Sequence, residues 1–177
     1  MKEKISELYK EQIEKSEYPV VGAIVDNEYK SLDEELNGNE RVKLITINSK
    51  EGMKIYRRTL TYIMGKAFWH LYPEAHVIVN YQLSNAMYCN IENMEVTHEM
   101  LEKVKAEMQE IIEKNLKIEK RVMTREEAEK FYQETNSAKG RLQFDLEERQ
   151  NINMYYCDEY YNYIYRNKML DCVFDGK

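Results

Sequence analysis

The sequence predicts an α+β fold in which long helices pack on an antiparallel sheet. Apolar residues recur at intervals of three and four across residues 97–113, which is typical of a helix. Residues 76–91 and 152–165 instead resemble pairs of strands joined by short turns. No repeat of 20–50 residues is visible, so a solenoid is not expected. The 177 residues, of which 43% are hydrophobic and 33% charged, are enough to bury a core.

The first fifty residues predict a small mixed unit. A helix is expected over residues 4–16, because apolar side chains share one face and Tyr18-Pro19 ends the pattern. Residues 20–25 form an apolar run typical of a buried strand, Asp26-Asn27 is a turn signal, and residues 42–47 predict a second strand. The apolar residues on one face of the predicted helix are Ile5, Leu8, Tyr9 and Ile13.

The middle of the chain predicts a helix, a hairpin and a second helix. The first helix runs from residue 53 to Pro73, and strands 76–83 and 86–91 follow around Ser84-Asn85. Thr97 can cap the second helix, which has the clearest periodicity in the chain. The expected apolar face of the first helix is Leu60, Ile63, Met64, Ala67 and Leu71, and that of the second is Leu101, Val104, Met108, Ile111 and Ile112.

The last third predicts a strand, a capped helix and a tyrosine-rich hairpin. The strand covers residues 118–123, and Thr124 with Glu127 forms a capping box that opens a helix through Phe131. A weaker helix is expected over residues 138–146. Aromatic alternation in residues 152–165 favours two strands joined at an acidic turn, Asp158-Glu159.

Charge and cysteine usage limit the function classes. A net charge of −6 argues against a strongly basic, phosphate-neutralising surface, although local basic patches remain compatible with it. The three cysteines are odd in number and far apart, and neither a signal peptide nor an apolar run near ~20 residues is present. A cytoplasmic protein without disulfides or a membrane segment is therefore expected.

Several segments resemble a known family. Residues 1–50 are similar to the back half of a TGS domain, a small β-grasp module whose leading hairpin would precede Lys4, so a partial module is expected. Residues 53–177 resemble the editing-type second additional domain of threonyl-tRNA synthetases, in the variant form found upstream of the P-loop domain of bacterial uridine-kinase-like nucleoside kinases. The most specific segments are residues 56–73, 86–89, 119–122, 124–128, 153–156 and 160–163.

The resemblance also implies that the hydrolytic site is lost. Editing domains of this superfamily carry a His-x-x-x-His pair on the opening helix and a Cys-x-x-x-His pair near the C-terminal end, with zinc in the alanyl relatives. The matching positions here are Arg58 and Tyr62, then Ile164 and Lys168. None of these side chains replaces a neutral imidazole or a thiolate as a zinc ligand or near-neutral base. No catalytic residue, metal or cofactor is therefore expected.

A polar stripe on the opening helix is the candidate ligand site. Positions four residues apart form one stripe on a helix. Arg offers a planar fork for phosphate or carboxylate, Lys a point charge and Tyr a stacking face. The candidate ligand-binding residues are Arg58, Tyr62, Lys66 and Lys168; the full stripe is Lys54, Arg58, Tyr62, Lys66 and His70. The alternative interpretation is a solvated polar face opposite the apolar one.

Other features of the sequence have structural interpretations that compete with functional ones. The tyrosine cluster suits base stacking, but sheet packing explains it as well. Cys157 is either a nucleophile or a buried structural thiol. His76 and His98 lack metal-type spacing, so surface or turn roles are favoured.

Three functions follow from these observations. The first is a non-catalytic accessory region of a uridine-kinase-like nucleoside kinase, binding a nucleotide or another anion beside a C-terminal P-loop kinase domain. The chain itself contains no G-x-x-x-x-G-K-[S/T] loop and is not expected to phosphorylate anything. The alternatives are a freestanding aminoacyl-tRNA deacylase that contacts a tRNA acceptor end, and a pure interaction module that forms oligomers.

Overall fold

The computed structural model describes residues 2–83, 86–134 and 151–163. Those up to Leu116 form one compact unit and those from Lys117 onward form another. The α+β class is confirmed, since every paired strand in the described part is antiparallel. The domain boundary expected at residues 50–53 stays a prediction.

The first unit begins with two small antiparallel sheets. β2 (Val20–Val25) lies between β3 (Glu28–Lys30) and β5 (Val42–Thr46). β2 and β5 correspond to the two predicted strands. β1 (Glu3–Lys4) pairs with β4 (Glu35–Leu36). The β2–β3 turn uses Asp26 and Asn27 at positive φ, which these residue types tolerate best after glycine.

The prediction of a single helix over residues 4–16 is wrong in one respect, because this segment forms two short helices. α1 (Ile5–Leu8) and α2 (Lys10–Glu14) meet at Tyr9, whose φ of −110° and ψ of 17° leave the helical region. Ile5 is fully buried, and its amide donates to the Glu34 carbonyl at 3.0 Å. The first turn is therefore held by a distant loop, which local periodicity cannot show.

α3 (Lys50–Leu71) starts directly after β5. The Ser49 side chain accepts a hydrogen bond from the Gly52 amide at 3.0 Å and caps the helix. Ile55 packs with Val21 and Ile45 against the sheet, whereas residues 63–71 turn the opposite, predicted apolar face toward a second core. The helix thus connects two clusters of the first unit.

That second core lies between α3, α4 (His98–Glu113) and the base of the hairpin formed by β6 (Val77–Leu83) and β7 (Ala86–Ile91). Thr97 caps α4 as predicted, accepting from the Met100 amide at 3.2 Å. The predicted core face of α4 needs a correction, because Leu101 and Ile112 are exposed and Met100 is buried. The buried residues of α4 are Met100, Val104 and Ile111.

The second unit is a three-stranded antiparallel sheet with one helix. β9 (Asn151–Cys157) is central, with β8 (Glu119–Thr124) and β10 (Tyr160–Tyr163) on its two sides. α5 (Arg125–Glu134) begins at the predicted capping box, in which the Glu127 amide donates to Thr124 Oγ1 at 3.2 Å and the Thr124 amide donates to Glu127 Oε2 at 2.8 Å. Ala128 packs on Ile152 and Met154.

The predicted helix over residues 138–146 and the predicted 84–85 turn lie outside the described residues. Within the described ranges, every helix is too short or too polar to cross a membrane.

Candidate functional site

The candidate site lies on one face of α3. Tyr62 and Lys66 are 4% and 7% exposed, and the Nη1 atom of Arg58 is buried although the residue is half-buried overall. Positions 58, 62 and 66 follow one another by single turns, so their side chains share a strip of the helix surface. The alternative interpretation, in which the stripe is a solvated polar face, is wrong at Tyr62 and Lys66, because both side chains are shielded from water.

Thr59 belongs to the same face and was missed from the sequence. Its side chain is 7% exposed and its hydroxyl donates to the Ile55 carbonyl at 3.2 Å. Among the described residues, Thr59 and Lys66 are the buried side chains of polar or charged type other than tyrosine, and they lie two turns apart on α3. The seven-residue spacing of these two positions was the signal that could have identified Thr59.

The ends of the stripe do not belong to the buried site. Lys54 is exposed, and the exposed His70 places Nδ1 2.8 Å from Glu107 Oε1 on α4. A strict four-residue repeat drifts around a helix of 3.6 residues per turn, so five successive positions do not stay on one face. Lys168, the fourth candidate ligand-binding residue, lies outside the described residues, as does Ile164.

Burial gives this face its electrostatic character. A buried ammonium group is expensive unless other groups compensate its charge, and Arg58, Tyr62 and Lys66 each interact with other groups of the protein. Low local dielectric strengthens every such interaction. A face that carries a guanidinium, an ammonium and a phenol can hold an anionic or planar group, but among these side chains no imidazole, carboxylate or thiol is available as a base or nucleophile.

The tyrosine-rich hairpin is largely a packed sheet. Tyr155 and Tyr160 are buried in the second unit, and burial raises the pKa of Tyr160 to about 12 despite the hydrogen bond from Asn162 Nδ2 to its hydroxyl at 3.0 Å. The other face places Tyr156 beside Tyr161, with the Arg121 guanidinium 4.3 Å from the Tyr156 ring centre. Sheet packing therefore accounts for these rings.

Other residues considered for chemistry are placed as follows. Cys157 is buried, in line with a structural thiol. His76 and His98 are exposed, and the described part of the chain contains no group of three His, Cys, Asp or Glu side chains placed to hold a metal ion.

Comparison with known proteins relates this chain to one class of enzyme. It is 35% identical over 137 residues to the threonine–tRNA ligase of Clostridium kluyveri, an alignment that covers 76% of this chain and 22% of the ligase. This chain is similar to threonine–tRNA ligases. The ligase of Fusobacterium nucleatum is 33% identical over 124 residues, with 70% and 20% covered, and that of Clostridioides difficile is 33% identical over 138 residues, with 77% and 22% covered.

The similarity concerns the N-terminal region of these ligases, and the chain spans about one fifth of the length of the curated relatives that it matches. No family model matches the chain. The expected TGS-like and editing-like character is thus supported at the level of a tRNA-synthetase-related module.

Proposed function

We propose that this chain is a non-hydrolytic binding module related to threonine–tRNA ligases, and that Arg58, Tyr62 and Lys66 hold an anionic group at a tRNA acceptor end or on a nucleotide. The observation that carries the proposal is the concentration of Thr59, Tyr62 and Lys66 on one buried face of α3, with Arg58 at its edge. The similarity to ligases supports an RNA 3′ end over other anions.

The chemistry of the face favours binding over catalysis. Arg58 offers two parallel donors to a phosphate, and Lys66 offers a compact positive charge. Tyr62 adds a ring and a hydroxyl. Because this face offers no imidazole, carboxylate or thiol to act as a base or nucleophile, we expect a bound ester to survive.

A thermal-shift screen tests the proposal. The chain is heated with uridine, cytidine, their phosphates, ATP, threonine, serine and a short tRNA acceptor mimic, and bound ligand raises the melting temperature by mass action. We expect the acceptor mimic or a nucleotide to stabilise the native chain, and Arg58→Gln to remove that shift. Lys54→Gln removes the same charge one turn away on an exposed position and serves as the matched control. A screen without any stabilising ligand contradicts the proposal.

A finer proposal concerns the parent protein. We infer from residues 56–73 and from Arg58 and Tyr62 in place of histidines that this region serves a uridine-kinase-like nucleoside kinase as an accessory module. The similarity to threonine–tRNA ligases does not support the kinase part and fits an editing-type module better. The sequence of the parent gene tests it directly, since a P-loop beyond residue 177 is required and a gene without one contradicts it.

A deacylase is the second candidate function, favoured by the similarity to ligases. It requires turnover of mischarged seryl-tRNA that disappears in Arg58→Ala or Lys168→Ala. Release of serine at the rate seen in buffer alone leaves the binding module as the surviving proposal.

A further inference from the structure

The β6–β7 hairpin exposes an unusual amount of apolar surface. Its base packs on the core of the first unit through Val77 and Ile91. Further out, Tyr81 and Tyr88 are 56% and 48% exposed and stack on each other, with ring centres 5.1 Å apart. The other exposed apolar side chains of the hairpin are Ile78, Val79 and Met87.

The hairpin carries no charge. Residues 77–91 contain no Asp, Glu, Lys or Arg in a chain that is 33% charged. Natural sheets protect free edges with charged side chains, particularly lysine, or with proline, and this hairpin has neither. A nucleic-acid partner is disfavoured here, because phosphate binding relies on Lys and Arg.

The pairing of β6 and β7 leaves each strand with an outer edge. Within the described part of the chain, β6 and β7 pair only with each other. Two-stranded sheets are marginal in water and gain stability from a third strand. The outer edges of β6 and β7 are therefore both candidates for pairing with a further strand.

The two edges differ in regularity. β6 has a register shift between Val79 and Tyr81, where Asn80 is the extra residue, whereas the run from Ala86 to Ile91 in β7 continues without interruption. Bulges twist an edge and hinder further pairing. The β7 edge is thus the more accessible template.

We propose that β7 pairs with β7 of a second copy of this chain, antiparallel across a two-fold axis, to form a four-stranded sheet in the order β6-β7-β7-β6. Two copies that each carry a net charge of −6 repel one another, and the uncharged hairpin is a surface on which they can meet without placing like charges in contact. An isologous two-fold contact lets one apolar strand serve as its own partner.

Sedimentation velocity over about 1 µM to about 1 mM tests the proposal, with a dissociation constant expected in the micromolar range for so small an interface. Tyr88→Glu places like charges near each other on the paired strands, and we expect at least a tenfold weaker dimer. Leu101→Glu makes a similar change at an exposed position of α4 and is expected to dimerise like the wild type. Circular dichroism checks that both variants fold.

Hydrogen exchange assigns the edge. Amides of β7 are expected to gain protection as the wild-type concentration rises, and those of Tyr88→Glu are not. A wild-type chain that stays monomeric to about 1 mM, or an unchanged dimer in Tyr88→Glu, overturns the proposal. A wild-type chain that stays monomeric and binds single-stranded RNA, with that binding lost in Tyr88→Glu, overturns the proposal in favour of a stacking platform for RNA bases. Arg58→Gln is expected to leave dimerisation intact, so this test and that of the α3 site fail independently.

Discussion

At the residue scale, Gly52 marks a close approach between α3 and the end of β5. A Cβ atom at this position would lie 2.0 Å from the Thr46 carbonyl oxygen and 2.9 Å from the Ile47 Cα. Backbone atoms in a paired strand cannot move aside easily. Glycine is therefore required here by space, although it is a poor helix former.

Gly52→Ala is expected to destabilise the chain. Overpacking typically costs about 1–3 kcal/mol, and a contact of 2.0 Å with a backbone oxygen belongs at the upper end of that range, above the roughly 1 kcal/mol that alanine gains in a helix. The midpoint of urea unfolding measures the change. Lys54→Ala, at an exposed position of the same helix, is the control, and a Gly52→Ala protein as stable as that control contradicts the close contact.

Glu40 gives a second prediction at this scale. Its carboxylate accepts hydrogen bonds from the amides of Asn37, Gly38 and Asn39 at 2.9–3.0 Å, and the Asn37 backbone bond is the main cause that lowers the Glu40 pKa below its ordinary 4.5. Since the folded-state pKa is depressed, the stabilising effect is present above pH 4.5 and is lost as pH falls through the lowered value.

An NMR pH titration of the Asn37, Gly38 and Asn39 amides tests the lowered pKa of Glu40. We expect the chemical shifts of these amides to follow the protonation of the Glu40 carboxyl, with a midpoint below pH 4.5. In Glu40→Gln this transition disappears. A midpoint at or above 4.5 contradicts the turn geometry.

The pKa of Tyr160 shifts in the opposite direction to that of Glu40. Burial raises its pKa from 10.0 to about 12, so its neutral form is favoured in the folded state. Folding stability is therefore expected to fall as pH rises from 10 to 12. Unfolding curves for wild type and Tyr160→Phe should diverge in this way across that window, with Tyr18→Phe, an exposed ring, as the control. Parallel pH profiles of wild type and Tyr160→Phe would show that the phenol is not buried.

At the element scale, local signals predicted the long elements well. Capping hydroxyls at Thr97 and Thr124, and the apolar spacing of α3, are properties of neighbouring residues, so the sequence displays them directly. Two-residue strands such as β1 and β4 form through pairing across some thirty positions, and no local pattern reveals them. The same limit applies to the break at Tyr9.

The burial of individual faces was harder to predict. α4 has apolar residues around much of its circumference, and Leu101 is exposed while Met100 is buried because the hairpin and α3 together select the inner face. The buried polar face of α3 was expected as a stripe but not as a shielded one. Which side chains become shielded depends on distant segments.

Thr97→Ala is expected to destabilise α4. The substitution removes the acceptor for the Met100 amide, and loss of an N-cap costs about 1 kcal/mol. Thr97→Ser keeps a hydroxyl and should retain most of the stability. Urea unfolding distinguishes the two variants, and equal midpoints for Thr97→Ala and wild type contradict the cap.

At the scale of the whole molecule, the net charge of −6 sets how RNA can bind. The proposed site supplies two cations, Arg58 and Lys66, within an otherwise acidic chain. Each phosphate neutralised on a single strand contributes about −0.7 to the slope of log affinity against log salt, so a slope no steeper than about −1.4 is expected.

Affinity for a CCA-ended acceptor mimic at several salt concentrations measures that slope. A steep dependence, near −4 or beyond, would place binding on a broad basic surface elsewhere and not on α3.

The most direct test of the central claim is a fluorescence-anisotropy titration of a CCA-ended acceptor mimic with wild type, Arg58→Gln and the matched control Lys54→Gln. If the face formed by Arg58, Tyr62 and Lys66 holds the acceptor end, wild type and Lys54→Gln bind alike and Arg58→Gln binds at least tenfold more weakly, which corresponds to about 1.4 kcal/mol. Equal affinities for the two variants, or no binding by the wild type, contradict the claim.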